Sequence, residues 1–303
     1  MKIRPKILLT GANGQVGWEL RRSLSSLGEV VAPDSQSLNL YDMSAVRQML
    51  RHIAPNIIVN SAAYTAVDKA ETETEYADAL NHIALGLLGE EAAKLDALLV
   101  HFSTDYVFNG SGHQPWSEED DCDPINVYGE TKLLGERAIQ SSGCRHLIFR
   151  TSWVYGARGK NFLLTMRKLM QEKSELKIVA DQVGAPTWCR DLAEATAQIL
   201  SQLHSPSARW GASEPWGIYH MCNSGAVSWH GFAEAIRAHA VMNHQPVTAR
   251  LLPILSHEYP TPARRPLNSR LNCDKLEQTF GLRLQDWQTA LTLCLGDMEG
   301  KCQ

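Results

Sequence analysis

Short runs of apolar residues alternate with longer segments of helical period through the first half of the chain. The runs "KILLT", "EVVAP", "NIIVN", "ALLVHFST" and "HLIFRTS" are close to continuously hydrophobic. That pattern belongs to strands buried on both faces rather than on one. Between them lie the predicted helices Gln15 to Leu27, Ser44 to Ile53, a long stretch ending at Lys94, and a segment holding Tyr128. Strand and helix in regular alternation predict an α/β fold with a doubly wound parallel sheet. After about residue 151 the pattern loosens, and proline and tryptophan collect in "PSARWGASEPWG" and "YPTPARRP". We therefore expect a main domain over residues 1–151 and a smaller α/β lobe built from 152–187 and 224–303. Asp191 to Leu203 again reads as a helix, so the segment 188–223 is expected to return to the main sheet.

Composition narrows the class. The chain has 303 residues, 44% hydrophobic and 20% charged, with a formal net charge of -4. There is no basic excess to suit a polyanion, so no nucleic-acid partner is expected. No apolar segment approaches the roughly 18 residues of a membrane span, and the apolar run near the N-terminus stops at Thr10, too short for a signal sequence. The seven cysteines are scattered, with no C-x-x-C pair. A reduced, cytoplasmic protein without a disulfide framework or structural zinc follows from that usage.

The segment "LLTGANGQVGWEL" sets Gly11, Gly14 and Gly17 directly after a predicted strand and at the head of a helix. Gly11 suits a tight turn, Gly14 the close approach of a pyrophosphate, and Gly17 the packing of helix on strand, with the helix N-terminus toward phosphate. Asn13, Gln15 and Val16 ride on the same loop. A dinucleotide site on a Rossmann-type sheet is the expectation, and the G-x-x-G-x-x-G spacing is typical of short-chain dehydrogenases. Asp34 stands where an acidic side chain would meet an adenosine ribose, although after Pro33 it is equally suited to a turn. Arginine and lysine are absent between Val30 and Val46, which leaves NADH and NADPH both open.

In "VYGETKLLGE" the helical repeat stacks Tyr128 and Lys132 on one face. A free phenol has a pKa of about 10, and a neighbouring ammonium favours the phenolate, so the pair is expected to act as a tuned acid. Upstream, "HFSTDYVF" ends a strand with Ser103 and Thr104, at the edge where open α/β sheets bind their ligands. Thr104 is a candidate to hydrogen-bond a substrate carbonyl.

Together "GANGQVGWEL", "NSAAYTAVDKAE", "FSTDYVFNG", "NVYGETKLLGE", "FRTSWVYG", "DQVGAPT" and "PTPARRPLNSRL" resemble the dTDP-4-dehydrorhamnose reductase family of extended short-chain dehydrogenases, over nearly the whole chain. The resemblance implies reduction of the 4-keto group of dTDP-4-dehydro-6-deoxy-L-mannose to dTDP-L-rhamnose, for rhamnose-containing polysaccharides, with NADPH or NADH. It implies Tyr128 as proton donor, Lys132 on the nicotinamide ribose and Thr104 on the carbonyl oxygen. Asn39 and Leu40 would lie near the adenine, and Ala62, Ala63, Tyr64 and Ser103 along the cofactor. Asp105, Phe108 and Trp153 would face the sugar or thymidine, although Trp153 also reads as core. Gln182 would meet a base edge, Pro186 would fix a turn, and Arg265, or Arg264, would offer a forked donor to the diphosphate.

Some members of the family are magnesium-linked dimers and others monomers, so monomer and homodimer both stay open. The acidic run "SEEDDCD" and the pair His220 and Cys222 are read as a solvated loop and as packing, and Arg190 sits where an acidic ligand would be needed. No metal site is expected from the residues, and Mg2+ stays open only through the family resemblance, without support in the sequence. Two rivals remain. One is a nucleotide-sugar epimerase or dehydratase on the same fold, the latter weakened by Asp105 and Tyr106 after Thr104. The other is a non-catalytic dinucleotide-binding regulatory subunit, against which the "DQVGAPT" and "RRPLNSRL" blocks count.

Overall fold

A computed structural model describes residues 4–203 and 214–300; residues 206–213 of the proline- and tryptophan-rich stretch, and Cys302, lie outside the described residues. Five strands enter the main sheet in turn: β1 (Lys6–Thr10), β2 (Glu29–Val31), β3 (Ile57–Asn60), β4 (Leu98–Thr104) and β5 (His146–Thr151). A sixth, Gly217–His220, pairs with β5, giving the order Gly217–His220, β5, β4, β3, β1, β2. All of these pairings are parallel. The chain leaves β1 for β2 on one side and then returns to β3 on the other. This reversal opens a crevice beyond the carboxyl ends of β1 and β3. The register aligns those ends, with Thr10 beside Asn60 and Thr104 beside Thr151.

Alternation within the strands feeds two cores. Ile7, Leu9, Val59, Val100 and Leu147 face one side, with Leu192 and Ile199; Leu8, Ile58, Leu99 and Ile148 face the other, with Val46, Leu50 and Leu88. Buried on both faces, these strands have no polar side to show, which is why they read as unbroken apolar runs. The helix Cys189–Leu203 packs beside α1 (Gln15–Ser23) in the first of these cores. A third core, with Tyr155, Leu163, Phe232, Ile236, Trp287 and Leu291, joins the helices Phe162–Glu172, Trp229–Met242 and Trp287–Met298. Two short parallel strands, Glu175–Val179 and Arg250–Ile254, pair beside these helices.

Three details differ from the sequence expectation. The first helix ends at Ser23 and tightens into a 3-10 turn over Leu24–Ser26 instead of running to Leu27. The stretch to Lys94 is divided, with a short helix Val67–Ala70 and a π-turn over Ala79–Ile83 between Thr74–Asp78 and Ala84–Lys94. Apolar periodicity cannot register one extra residue in a turn, and here the bulge carries Asn81. The segment 224–303 is also not wholly in the smaller lobe. Leu276, Phe280 and Leu284 bury themselves against Tyr219 and the main core, because the added edge strand exposes an apolar flank there. Among the described residues, no helix is long and apolar enough to cross a membrane.

Candidate active site

At the crevice, the glycines are required by contact. Gly11 has φ of 73°, and a Cβ there would lie 2.5 Å from the Ala62 nitrogen. A Cβ on Gly17 would lie 2.1 Å from the Gly11 carbonyl oxygen, so α1 is pressed onto the turn it follows. Gly14 caps the helix without a side chain, leaving its N-terminus uncluttered for an anion. A cleft opens here, lined by Gly11, Asn13, Gly14, Asp34, Asn39, Leu40 and Ala62 among others. Gln15 turns instead to the Asn161 amide, at 2.8 Å, tying α1 to the loop beyond Gly156. Val16 bridges the main core and the third one. Asp34 holds a turn at the rim of this cleft. Its Oδ1 accepts from the Ser37 hydroxyl and from the Gln36 and Ser37 amides, which hold its pKa below the usual value, while the residue lines the cleft.

At the other end of the edge, β4 finishes in Ser103 and Thr104, both buried. Thr104 caps the 3-10 turn Asp105–Val107, its hydroxyl accepting from the Tyr106 amide at 3.1 Å and donating to Asp105 at 3.2 Å. The helix Val127–Ser141 starts beside this turn because Asn126 Oδ1 accepts from the Gly129 amide at 2.8 Å and Glu71 accepts from the Val127 amide at 3.0 Å. Gly129 permits the contact, since a Cβ there would lie 2.1 Å from the Tyr106 oxygen. Tyr128 is thereby set in hydrogen-bonding relation to Thr104 and edge-on to Tyr106, with ring centroids 5.6 Å apart.

The electrostatics depart from expectation. Burial pushes the Tyr128 phenol up to about 12; the Thr104 hydrogen bond works against the rise, and Asp105 adds to it. Lys132 is not what tunes it here. Its Nζ lies 2.6 Å from the Phe102 carbonyl oxygen and 2.9 Å from His101 Nε2, and burial takes its pKa down to about 7. With Nζ turned toward β4, the lysine does not enter the balance that sets the phenol. Asp105, also buried, is raised to about 7, only partly offset by the Ser269 and Thr104 hydroxyls.

The other expected positions divide. Trp153 adopts φ of 47°, unusual for a bulky residue, and stacks on Trp229 at 3.6 Å against Gly184. Phe108 is fully buried, stacked on Trp116 at 4.7 Å with the Arg150 guanidinium 5.1 Å above it; it is a core residue rather than a wall of the cleft. Gln182 is buried and donates to the Ser256 hydroxyl, and Pro186 is buried beside Thr187. The Arg265 fork is already used. Its two terminal nitrogens each lie 2.9 Å from an oxygen of Asp68, which ties this loop to the helix Val67–Ala70. Ala63 and Tyr64 follow β3; the Tyr64 backbone is held by Asn81, and its hydroxyl donates to Glu73.

Sequence reasoning passed over His101, Asn60, Asn81, Asp68 and Trp229. For His101 and Asn60 the signal was present, as polar residues inside fully buried strands. The acidic loop is structural: Glu118 accepts from the His220 amide and Asp120 from Ser117. Arg190 pairs with Glu19 and Asp297. Among the described residues, no group of three or more His, Cys, Asp or Glu could hold a metal ion.

A parallel sheet with a glycine-turn crevice at its switch point and a Thr-Tyr-Lys constellation at the same edge defines a dinucleotide-dependent α/β oxidoreductase. The RmlD substrate binding domain model matches residues 5–299. A dTDP-4-dehydrorhamnose reductase of Burkholderia thailandensis is 47% identical, covering 97% of this chain and 99% of its own length. The reductase of Escherichia coli strain K12 is 44% identical over 96% of this chain and 97% of its own. The chain belongs to the dTDP-4-dehydrorhamnose reductase family. Among solved structures, the Bacillus anthracis reductase in complex with NADP superposes with a TM-score of 0.88 at 33% identity, over 97% of this chain and all of that one. A Thermus thermophilus UDP-glucose 4-epimerase with NAD, at 19% identity and a TM-score of 0.78, covers 97% of this chain and 99% of its own and shares the fold.

Proposed function

We propose that this chain reduces the 4-keto group of dTDP-4-dehydro-6-deoxy-L-mannose to give dTDP-L-rhamnose, using NADPH or NADH. The observation that carries the reading is the Thr104–Tyr128 pair at the end of β4, one helical turn from Lys132 and on the same sheet edge as the glycine crevice. The residues fit a dinucleotide. Gly11 and Gly17 leave no room for a side chain at the turn, α1 has no side-chain cap, and the buried Ser103 hydroxyl has no hydrogen-bond partner among the described residues. Asp34, Asn39 and Leu40 would hold the adenosine end, with Ala62, Ala63 and Tyr64 along its length and Lys132 at the nicotinamide ribose. When bound, the cofactor supplies hydride to the sugar C4.

The protein supplies the proton and the orientation. A phenol held up to about 12 stays protonated near neutrality, so Tyr128 arrives able to donate. Thr104, turning its one hydroxyl proton from Asp105 to the keto oxygen, steadies charge as it develops there. Trp153, backed by Trp229, and Asp105 border the sugar. Arg265 would reach the diphosphate by exchanging its Asp68 partner for phosphate oxygens, which keeps the two-pronged geometry. We assign residues 152–187 and 224–303, apart from the portion around Leu276 to Leu284, to the substrate lobe. We place the reaction in the cytoplasm, in a monomer or homodimer.

Loss of NADPH absorbance on adding the keto sugar nucleotide tests the proposal. Consumption matched by a dTDP-rhamnose product supports it, and a chain that binds NADPH without consuming it would be a binding subunit instead. Running NADH beside NADPH, with and without chelator, reads cofactor choice and metal dependence in the same assay.

A further inference from the structure

Lys132 does not end in solvent or at Tyr128. It ends in a buried polar chain that crosses two strands, in which Lys132, His101 and Asn60 are each 1% exposed. Lys132 Nζ is 2.9 Å from His101 Nε2, and His101 Nδ1 is 2.9 Å from Asn60 Nδ2. The Asn60 amide is fixed by its neighbours. Its Oδ1 accepts from the Ala62 amide at 3.3 Å and from the Thr10 hydroxyl, and its Nδ2 donates to the Ala62 carbonyl at 3.3 Å. A reversed amide would face donor to donor and acceptor to acceptor at Ala62.

An amide nitrogen can only donate, so His101 Nδ1 must accept. A neutral imidazole then carries its proton on Nε2, pointed at Lys132. A ring N–H facing an ammonium is a clash of donors, whereas one facing an amine is a hydrogen bond, with the amine still free to donate to the Phe102 carbonyl. We propose that His101, aimed by Asn60, is a positioning residue that sets the protonation of Lys132 and holds it as an amine until a cofactor ribose offers new acceptors. The inference rests on the reading of Lys132 as part of the reductase machinery.

Burial and Lys132 both hold the His101 pKa well below 6.5, with the Asn60 backbone carbonyl opposing them last and least. Other charges around the lysine do not provide its partner. Glu136, the group that favours its charge, is already forked onto Arg150 at 2.7 to 3.2 Å, both side chains being buried. Tyr128 stays a neutral phenol one turn earlier, and Asp105, beyond Thr104, is raised to about 7.

The test reads Lys132 itself, by NMR of the full-length chain carrying labelled lysine side chains, with resonance assignment by a Lys132→Met variant. The wild type is expected to titrate near 7. Asn60→Asp replaces the donor by an acceptor, moves the ring proton to Nδ1 and frees Nε2 to accept from an ammonium. The midpoint should rise by about one unit or more. His101→Gln, whose amide oxygen can face the ammonium, should raise it too, and in both variants the acid limb of the NADPH-binding profile should follow the lysine. A midpoint unmoved in both folded variants overturns the inference, as does one that falls in Asn60→Asp. Because the titration is seen without turnover, a failed keto-sugar assay, which would sink the activity, is distinguishable from a failure of this inference.

Discussion

Tyr128 shows how a residue is chosen by what it must not do. An ammonium aimed at its hydroxyl would favour phenolate before substrate arrives, and a phenolate has no proton to give. Burial, opposed by one threonine hydroxyl, sets the phenol, which stays protonated through the physiological range. Tyr128→Phe should therefore lower kcat by roughly 10²- to 10⁴-fold with little change in NADPH affinity. Turnover in the variant at the parent rate would remove Tyr128 from the proton step. Thr104→Val keeps the shape and loses the hydroxyl that touches Tyr128 and Asp105, so kcat should fall by roughly ten- to a hundredfold while the fold survives. A change confined to KM would mean that Thr104 only binds. At this scale the sequence picked out Thr104, Tyr128 and Lys132 as neighbours but not their surroundings. "YGETK" announces a tyrosine over a lysine; that the lysine turns to His101 depends on a strand more than 25 positions away, with no local trace.

Elements were legible where one force dominates. The strands are buried on both faces, so hydrophobic continuity alone located β1, β3, β4 and β5. Boundaries set by polar contacts were not, such as the π-turn that delivers Asn81 to Tyr64 and Thr131, or the 3-10 turn that ends α1. The glycine turn was legible because no other residue meets its steric demand. Gly17→Ala tests this. Its Cβ would lie 2.1 Å from backbone, which cannot yield as a side chain can, so α1 must move away from the turn. We expect a stability loss of about 1–3 kcal/mol and an NADPH affinity at least about tenfold weaker. Gly296→Ala is the matched control, since it sits in the helix Trp287–Met298 with open space at its Cβ. It should leave NADPH binding alone and raise stability by about 0.5–1 kcal/mol. If both variants behave alike in calorimetry and in cofactor titration, the packing account of Gly17 fails.

At the scale of the whole molecule, two buried groups at the candidate active edge make stability depend on pH. Lys132, fully inside the protein, titrates at about 7 instead of its ordinary 10.5, and the sign of the consequence follows from proton counting. Below pH 7 both folded and unfolded chains hold the proton, and the folded state bears the whole cost of a buried ammonium. Between 7 and 10.5 the unfolded chain binds more protons than the folded one, so stability contributed by this residue rises with pH until the cost is gone. Asp105 runs the other way. Its carboxyl is raised to about 7, so its burden grows from about pH 4 to 7 and then stays constant. Near neutrality both groups are therefore unfavourable together, where a reductase that moves one proton needs groups that change state easily. Lys132→Met should abolish reduction yet raise the ligand-free Tm at pH 7 by several degrees. It should also flatten the rise of Tm between pH 7 and 10 expected of the parent. A variant less stable than the parent at pH 7, or one with the same slope toward alkaline pH, would mean that the lysine is paired well enough in the fold to repay its burial, and that its low pKa has another source.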